Sequence, residues 1–292
     1  MHLLVQAVIL GILIGGVYAL MSSGLTLVFG IMRVVNVAQG AMVILGAYLS
    51  FSLFRTLHID PFLSILLIAP ALFVLGVVLH RLFIRSLRGR NAEEMSLLVT
   101  WATALAVEGI LSVAYTTTRR STITGYSQAS WQVAGYRIPE VRLFGFAISV
   151  AILAALYLLL AKSRFGRSVR ATVQNPTSAR LLGVDPDRVS AFGFGIGAAT
   201  AAAAGAVYGM VYPFNPGSHY DLISRLLSIV VLGGLGSMGG AVVASLILGV
   251  VESVVAVEIS PIWSSFVFFL VLIAVLLFRP QGLFGVRERG AA

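Results

Sequence analysis

Apolar positions along this chain come in long unbroken blocks, without the amphipathic helical or alternating strand patterns of a soluble fold. Uncharged stretches cover residues 3–32, 34–54, 61–79, 143–161, 189–218, 226–251 and 259–278. Each meets the roughly 18 apolar residues that let a helix cross a bilayer core. A further stretch, 95–118, is interrupted only by Glu108. The pattern predicts an all-α, polytopic membrane helix bundle of about eight to nine transmembrane segments, organised as a single transmembrane domain over residues 1–292. Residues from Leu3 onward have neither a basic leader nor a small-residue cleavage signal, so they read as a retained first helix.

Two regions break the apolar pattern in related ways. Phe29 to Gly40 interrupts the helical hydrophobicity with Arg33, Asn36, Gln39 and Gly40. Gly233, Gly234, Gly236, Ser237, Gly239 and Gly240 do the same near the other end of the chain. Interrupted segments in corresponding positions of two halves point to a substrate pathway lined by freed backbone groups. The alternative is tight helix packing or a hairpin turn. The stretch 222–257 offers short lengths on either side of its glycines, which predicts half-helices or a re-entrant pair. Small-xxx-small spacings at Gly11/Gly15, Gly193/Gly197, Gly205/Gly209 and Gly236/Gly240 predict close helix contacts.

Composition sharpens the class. Charged residues are 11% of the chain, against about 25% in soluble domains, and mean hydropathy is +0.99. The net charge of +9 is carried at the ends of apolar runs and not on one basic face, so nucleic acid is not an expected partner. Putting Arg33, the segments 80–94 and 162–188 and the tail in the cytoplasm places 14 of the 20 basic residues inside. The positive-inside bias thus predicts a cytoplasmic C-terminus. The segments 55–60, 119–142 and 213–221 then fall outside, with 119–142 expected to form a folded cap. Absence of cysteine excludes disulfides, cysteine–metal sites and thiol nucleophiles.

The segment 162–190 carries the most specific local signals. Asn175 before Pro176 is a helix N-cap with a first-turn proline, and Gly183 suits the residue after a helix end. A short helix over 176–182 follows, with Asp185-Pro186 opening the next one. A helix of two turns is unstable alone in water, which predicts either headgroup contact or docking of a soluble partner.

Catalytic chemistry is not apparent. Lys162, the sole lysine, precedes Ser163 but follows Ala161, so no phosphate-binding loop exists and ATP would have to be handled by another polypeptide. Gly234, Gly236 and Gly239 match the dinucleotide fingerprint, with Glu258 beyond, but no doubly wound sheet can follow from such apolar segments. No metal-ligand set or nucleophile motif appears. The histidines His2, His58, His80 and His219 fall near predicted helix ends, where solvent contact is expected. Glu108, deep in its helix, keeps open an ion-coupled secondary transporter, because intramembrane ionisable groups are functional by default.

In order and spacing, several motifs resemble the permease subunit of branched-chain amino-acid ABC transporters of the LivH type. They are Gly16-Val17-Tyr18-Ala19-Leu20, Val28 to Ile31, Asn36 to Gly40, Ser163 to Arg167, Ala179 to Val184, Val231 to Ser237 and Pro280-Gln281-Gly282. The resemblance spans nearly the whole chain. It implies an ABC importer permease fold in the bacterial inner membrane. It also implies a second permease subunit, two cytoplasmic ATPase subunits that bind ATP and magnesium, and a periplasmic binding protein. No cofactor is implied for this chain itself. Gln174, Asn175, Ala179, Arg180, Leu181, Leu182 and Gly183 correspond to the ATPase-coupling segment. Asn36, Gln39, Gly40 and the 233–240 glycines become substrate-pathway candidates. Two departures stand out: Gln39 replaces an expected histidine, and the coupling segment lacks an acidic residue.

Overall fold

The structure, a computed structural model, describes residues 2–87, 92–133, 135–279 and 281–284. Arg88, Arg90, Arg287, Arg289 and Pro280 lie outside the described residues. The described chain is a helix bundle, and seven of its helices are long and apolar enough to cross a membrane.

Helix α1 (His2–Met32) is 31 residues long, about 46 Å at 1.5 Å per residue. It ends where Arg33 turns left-handed (φ 54°) while donating to the Phe29 carbonyl at 2.8 Å. Residues 33–38 are not helical. Helix α2 (Gln39–Leu57) then starts inside the bundle, because Gln39 Nε2 donates to Gly197 O at 3.1 Å and Met21 O at 3.3 Å. Asp60 caps α3 (Pro61–Leu79), accepting from Phe62 N at 2.8 Å, and a π-turn at His80–Ile84 extends it. Helix α4 (Ala92–Tyr115) leads to the segment predicted as a cap.

That cap contains an antiparallel hairpin, β1 (Ser130–Val133) and β2 (Tyr136–Pro139), registered Ser130 to Pro139. It is tied to the bundle at three places. Tyr126 Oη donates to Asp60 Oδ2 at 2.6 Å, Thr122 N to Gly209 O at 2.9 Å, and Arg120 exchanges backbone bonds with Phe214 at 2.8 Å each way. Burial and the Asp60 contact push the Tyr126 phenol pKa up.

Helix α5 (Glu140–Lys162) returns to the opposite, basic end. Ser163 caps α6 (Arg164–Gln174), a helix the sequence reading did not separate from its loop. The predicted short helix is α7 (Pro176–Leu181). It is locked at both ends: Asn175 Oδ1 accepts from Thr177 N and Ser178 N at 3.0 Å each, and Val184 N bonds Ala179 O while Gly183 N bonds Arg180 O. The latter pair is a Schellman closure, which needs the positive φ of Gly183 (80°).

Helix α8 (Pro186–Val211) is the central post. Its small residues admit α2, α3 and α1: a Cβ on Gly46 would stand 2.7 Å from Ala202 Cα, and one on Gly76 2.8 Å from Ala198 Cβ. After α8 the chain pairs with the cap at Phe214 and then re-enters the bundle. Helix α9 (His219–Gly233) therefore begins inside, where a Cβ on Gly40 would lie 2.7 Å from His219 O. The segment 213–221, expected wholly outside, is thus partly internal. His219 and His80 are buried, contrary to the expected solvent contact.

Helix α10 (Met238–Glu258) runs antiparallel to α1, with Gly11 against Val250 and Gly15 against Ser245 and Leu246. Of the two short pieces expected, α9 is short at 15 residues, while the second is corrected: α10 has 21 and is long and apolar enough to cross a membrane. Beyond the 226–251 block, Ser253 to Val257 continue the apolar run past Glu252 far enough to cross. Helix α11 (Pro261–Phe278) packs beside α9 and α10, and Leu283 N then bonds Leu232 O at 2.7 Å.

Candidate functional site

Because α9 starts inside the bundle, its second turn delivers Arg225 to the floor of a cavity beneath the cap. The cavity holds about 430 Å³ and is lined by α1, α8, α9, α10 and the loop after α8. Arg225 Nε donates to Asp221 Oδ2 at 2.9 Å, one helical turn back, and its Nη1 pairs with Glu252 Oε1 on α10. Tyr18 on α1 donates to Glu252 Oε2 at 2.9 Å and accepts from Arg225 Nη1 at 3.1 Å. The guanidinium also lies over the Phe268 ring at 5.8 Å. Tyr208 and Tyr212 face the same space, and Arg119 and Pro213 stand at its exposed side.

A second cavity of about 360 Å³ opens at the basic end, between α1, α5, α6 and the α9–α10 turn. Thr26, Gly30, Arg170, Gln174, Gly236 and Met238 are among its lining residues. Tyr18, Ser22, Thr26 and Gly30 recur every fourth residue, so they share one face of α1. Ser22, buried between the cavities, has its hydroxyl 3.2 Å from that of Ser245 on α10.

The sequence-predicted residues fall into three places. Asn36, Gln39 and Gly40 are buried at the start of α2, with Asn36 Nδ2 donating to Gln39 Oε1 at 3.4 Å and Asn36 Oδ1 unpartnered. The glycine cluster forms the α9–α10 turn at the basic end: Gly234 and Gly236 have positive φ (96° and 81°), and Gly233 abuts Gly240. Ser237 caps α10 by accepting from Gly240 N at 3.1 Å, and Gly239 is open to space. Gly236 also approaches Gly30, so the two interrupted regions meet there, while Gly40 turns to His219 and Ile223.

Glu108 belongs to neither cavity. It accepts from Tyr220 Oη at 2.9 Å, and its carboxylate is 3.9 Å from His219 Nε2 at the start of α9. A helix N-terminus favours a carboxylate in that position. Arg225, Glu252, Asp221 and Tyr18 were missed as a constellation. Their signal was Asp221 and Arg225 at i,i+4 spacing, next to glutamate and tyrosine within otherwise apolar helices.

At the basic end α7 presents Leu181 and Leu182, which are 85% and 80% exposed, while Ala179 is buried. Asp187 on α8 reaches Arg85 at 3.9 Å nearby. Among the described residues no cluster of three metal-ligating side chains occurs.

Seven long apolar helices, with the starts of α2 and α9 inside the bundle and a cavity toward each end, are the arrangement of a membrane permease. The chain belongs to the family described as branched-chain amino acid transport system permease component, whose model matches residues 7–276. It is 31% identical, over 97% of its length and 96% of the relative's, to the high-affinity branched-chain amino acid transport system permease protein BraD of Pseudomonas aeruginosa. It is 30% identical to the LivH permease of Salmonella typhimurium, covering 95% and 94% of the two chains. It is 29% identical to the probable LivH permease of Methanocaldococcus jannaschii, covering 94% and 90%. No solved structure matches the chain.

Proposed function

We propose that this chain is one transmembrane subunit of an ATP-driven ABC importer for branched-chain or similar small amino acids in a bacterial inner membrane. The whole of residues 1–292 acts as one permease domain, with the cap in the periplasm and the 162–190 segment in the cytoplasm. A second permease subunit, identical or different, completes the pathway. A periplasmic binding protein delivers the substrate. Two cytoplasmic ATPase subunits hold ATP and magnesium, and this chain binds no cofactor of its own.

The observation that carries the reading is α7. A helix of six residues is locked by a side-chain cap and a Schellman closure, yet it exposes Leu181 and Leu182. Rigid ends transmit a push, and exposed leucines supply the apolar contact that a docking surface needs. Gln174 and Arg170 on α6 line the adjacent cavity, so movement of α6 and α7 would act directly on the basic-end opening. The family's transport role supports the same assignment.

Co-purification tests it. The tagged chain, expressed with its operon neighbours and extracted in mild detergent, is expected to bring ATPase chains with it. Leu181→Asp with Leu182→Asp is expected to release them without reducing membrane insertion. Retention of ATPases by that variant, or a single-chain preparation from the parent, contradicts the reading.

A further inference from the structure

The cavity under the cap has charged side chains on its least exposed side, beside Leu222 and above the Phe268 ring. Arg225 and Glu252 there are 12% and 13% exposed, whereas Asp221 toward the mouth is 55% exposed. The charged residues lining it are Arg119, Arg225, Asp221 and Glu252, two of each sign. Its 430 Å³ lies near the small end of the roughly 300–1,000 Å³ typical of ligand pockets. An ion pair whose role was to clamp α9 to α10 would serve best sealed in protein. This one borders open space, with Tyr208 and Tyr212 facing it.

We propose that the Arg225–Glu252 pair, with Tyr18, is an exchangeable site for the zwitterionic head group of an α-amino acid. The cargo class rests on the transport reading above; the residues and the exchange do not follow from it. The incoming carboxylate takes the place of Glu252 on the guanidinium of Arg225. The incoming ammonium pairs with the Glu252 carboxylate so released, beside the Tyr18 hydroxyl. Each charge keeps an opposite partner throughout, so a zwitterion opens the floor without leaving a buried charge unpaired. A compound with only a carboxylate leaves Glu252 without a cation, which low-dielectric surroundings disfavour, and one with only an ammonium moves Arg225 from two carboxylates to Asp221, the more exposed of them. The floor therefore selects for the head group. From it, Ser22 on α1, beside Ser245 of α10, continues toward Thr26 and the second cavity.

The chain has no cysteine, so a single introduced thiol reports on the cavity without background from this chain. Ser218→Cys places one in the lining. Its maleimide labelling is measured in the purified transporter complex, with partner-chain cysteines removed or blocked, in the presence of L-leucine, leucinamide or 4-methylpentanoate. Leucine at twice its dissociation constant is expected to slow labelling about threefold by mass action, and neither analogue is expected to do so. Glu252→Gln in the same background is expected to abolish protection. Equal protection by either analogue, or none by leucine, overturns the site. If Glu252→Gln does not assemble, the comparison of the three compounds still decides. The same preparation with its binding protein is assayed in liposomes for ATP-driven leucine uptake. Uptake without protection overturns the site and leaves the importer reading standing; protection without ATP dependence does the reverse.

Discussion

Tyr18 Oη on α1 donates to Glu252 on α10 at 2.9 Å and accepts from Arg225 on α9 at 3.1 Å. One phenol thus joins three helices at the floor of the cap-side cavity. Buried hydrogen bonds to charged groups contribute about 1.5–3 kcal/mol, so Tyr18→Phe is expected to lower the thermal stability of the detergent-solubilised protein. Glu252→Ala is expected to lower it further, because it removes the cross-helix carboxylate that pairs with Arg225. Unchanged melting of Tyr18→Phe would contradict this role.

The glycines divide sharply by what a Cβ would meet. At Gly249 it would lie 2.7 Å from Gly11 O and 2.8 Å from Gly15 Cα, at the seam of α1 and α10. Gly249→Val is expected to destabilise by at least the ~1–3 kcal/mol typical of overpacking, seen as lost monodisperse protein on size-exclusion chromatography. Gly239 has nothing within 4 Å and sits in the first turn of α10. Gly239→Ala is expected to be neutral or to stabilise by up to ~1 kcal/mol. Equal behaviour of the two variants would refute the packing described.

Much of the fold was legible because a bilayer leaves few options. Uncharged blocks of this length must be helices, and the Asn175-Pro176 and Gly183 signals bounded α7 to within a residue. The start of α9 inside the bundle was not legible, since residues 189–218 form one uncharged run and Pro213 and Pro216 were its only punctuation. Helix α6 was hidden by its arginines, although Phe165, Val169 and Thr172 give it one side to bury. The cavity residues were harder still. Arg225 and Glu252 looked like the ends of apolar runs, and only the fold brings them together.

Asn175 is predicted to matter through backbone geometry alone. Its side chain accepts from Thr177 N and Ser178 N, and replacing such a cap by alanine costs about 0.5–2 kcal/mol. Asn175→Ala is expected to weaken ATPase association in pull-downs, whereas Asn175→Asp, which keeps the acceptor, is expected to preserve it. Loss in both variants would mean that the asparagine itself is recognised.

The cap carries a pH signature. The Tyr126 phenol is pushed up from its ordinary value by burial and by Asp60. A raised value means that the unfolded chain ionises first. The contribution of Tyr126 is therefore intact below about pH 10, the ordinary tyrosine value, and declines as pH rises toward the folded-state value. Thermal melts between neutral pH and pH 11 are expected to show a steeper alkaline decline for the parent than for Tyr126→Phe. Parallel curves would show that the Tyr126–Asp60 tie does not hold the cap.

The most direct test of the central claim is the energy source of transport. Proteoliposomes containing this chain, its partner permease and ATPases, with ATP enclosed and binding protein outside, are assayed for labelled leucine. Accumulation that requires ATP and survives Glu108→Gln is the predicted result. Accumulation without ATP, driven by an ion gradient and lost in Glu108→Gln, would contradict it and transfer the mechanism to Glu108.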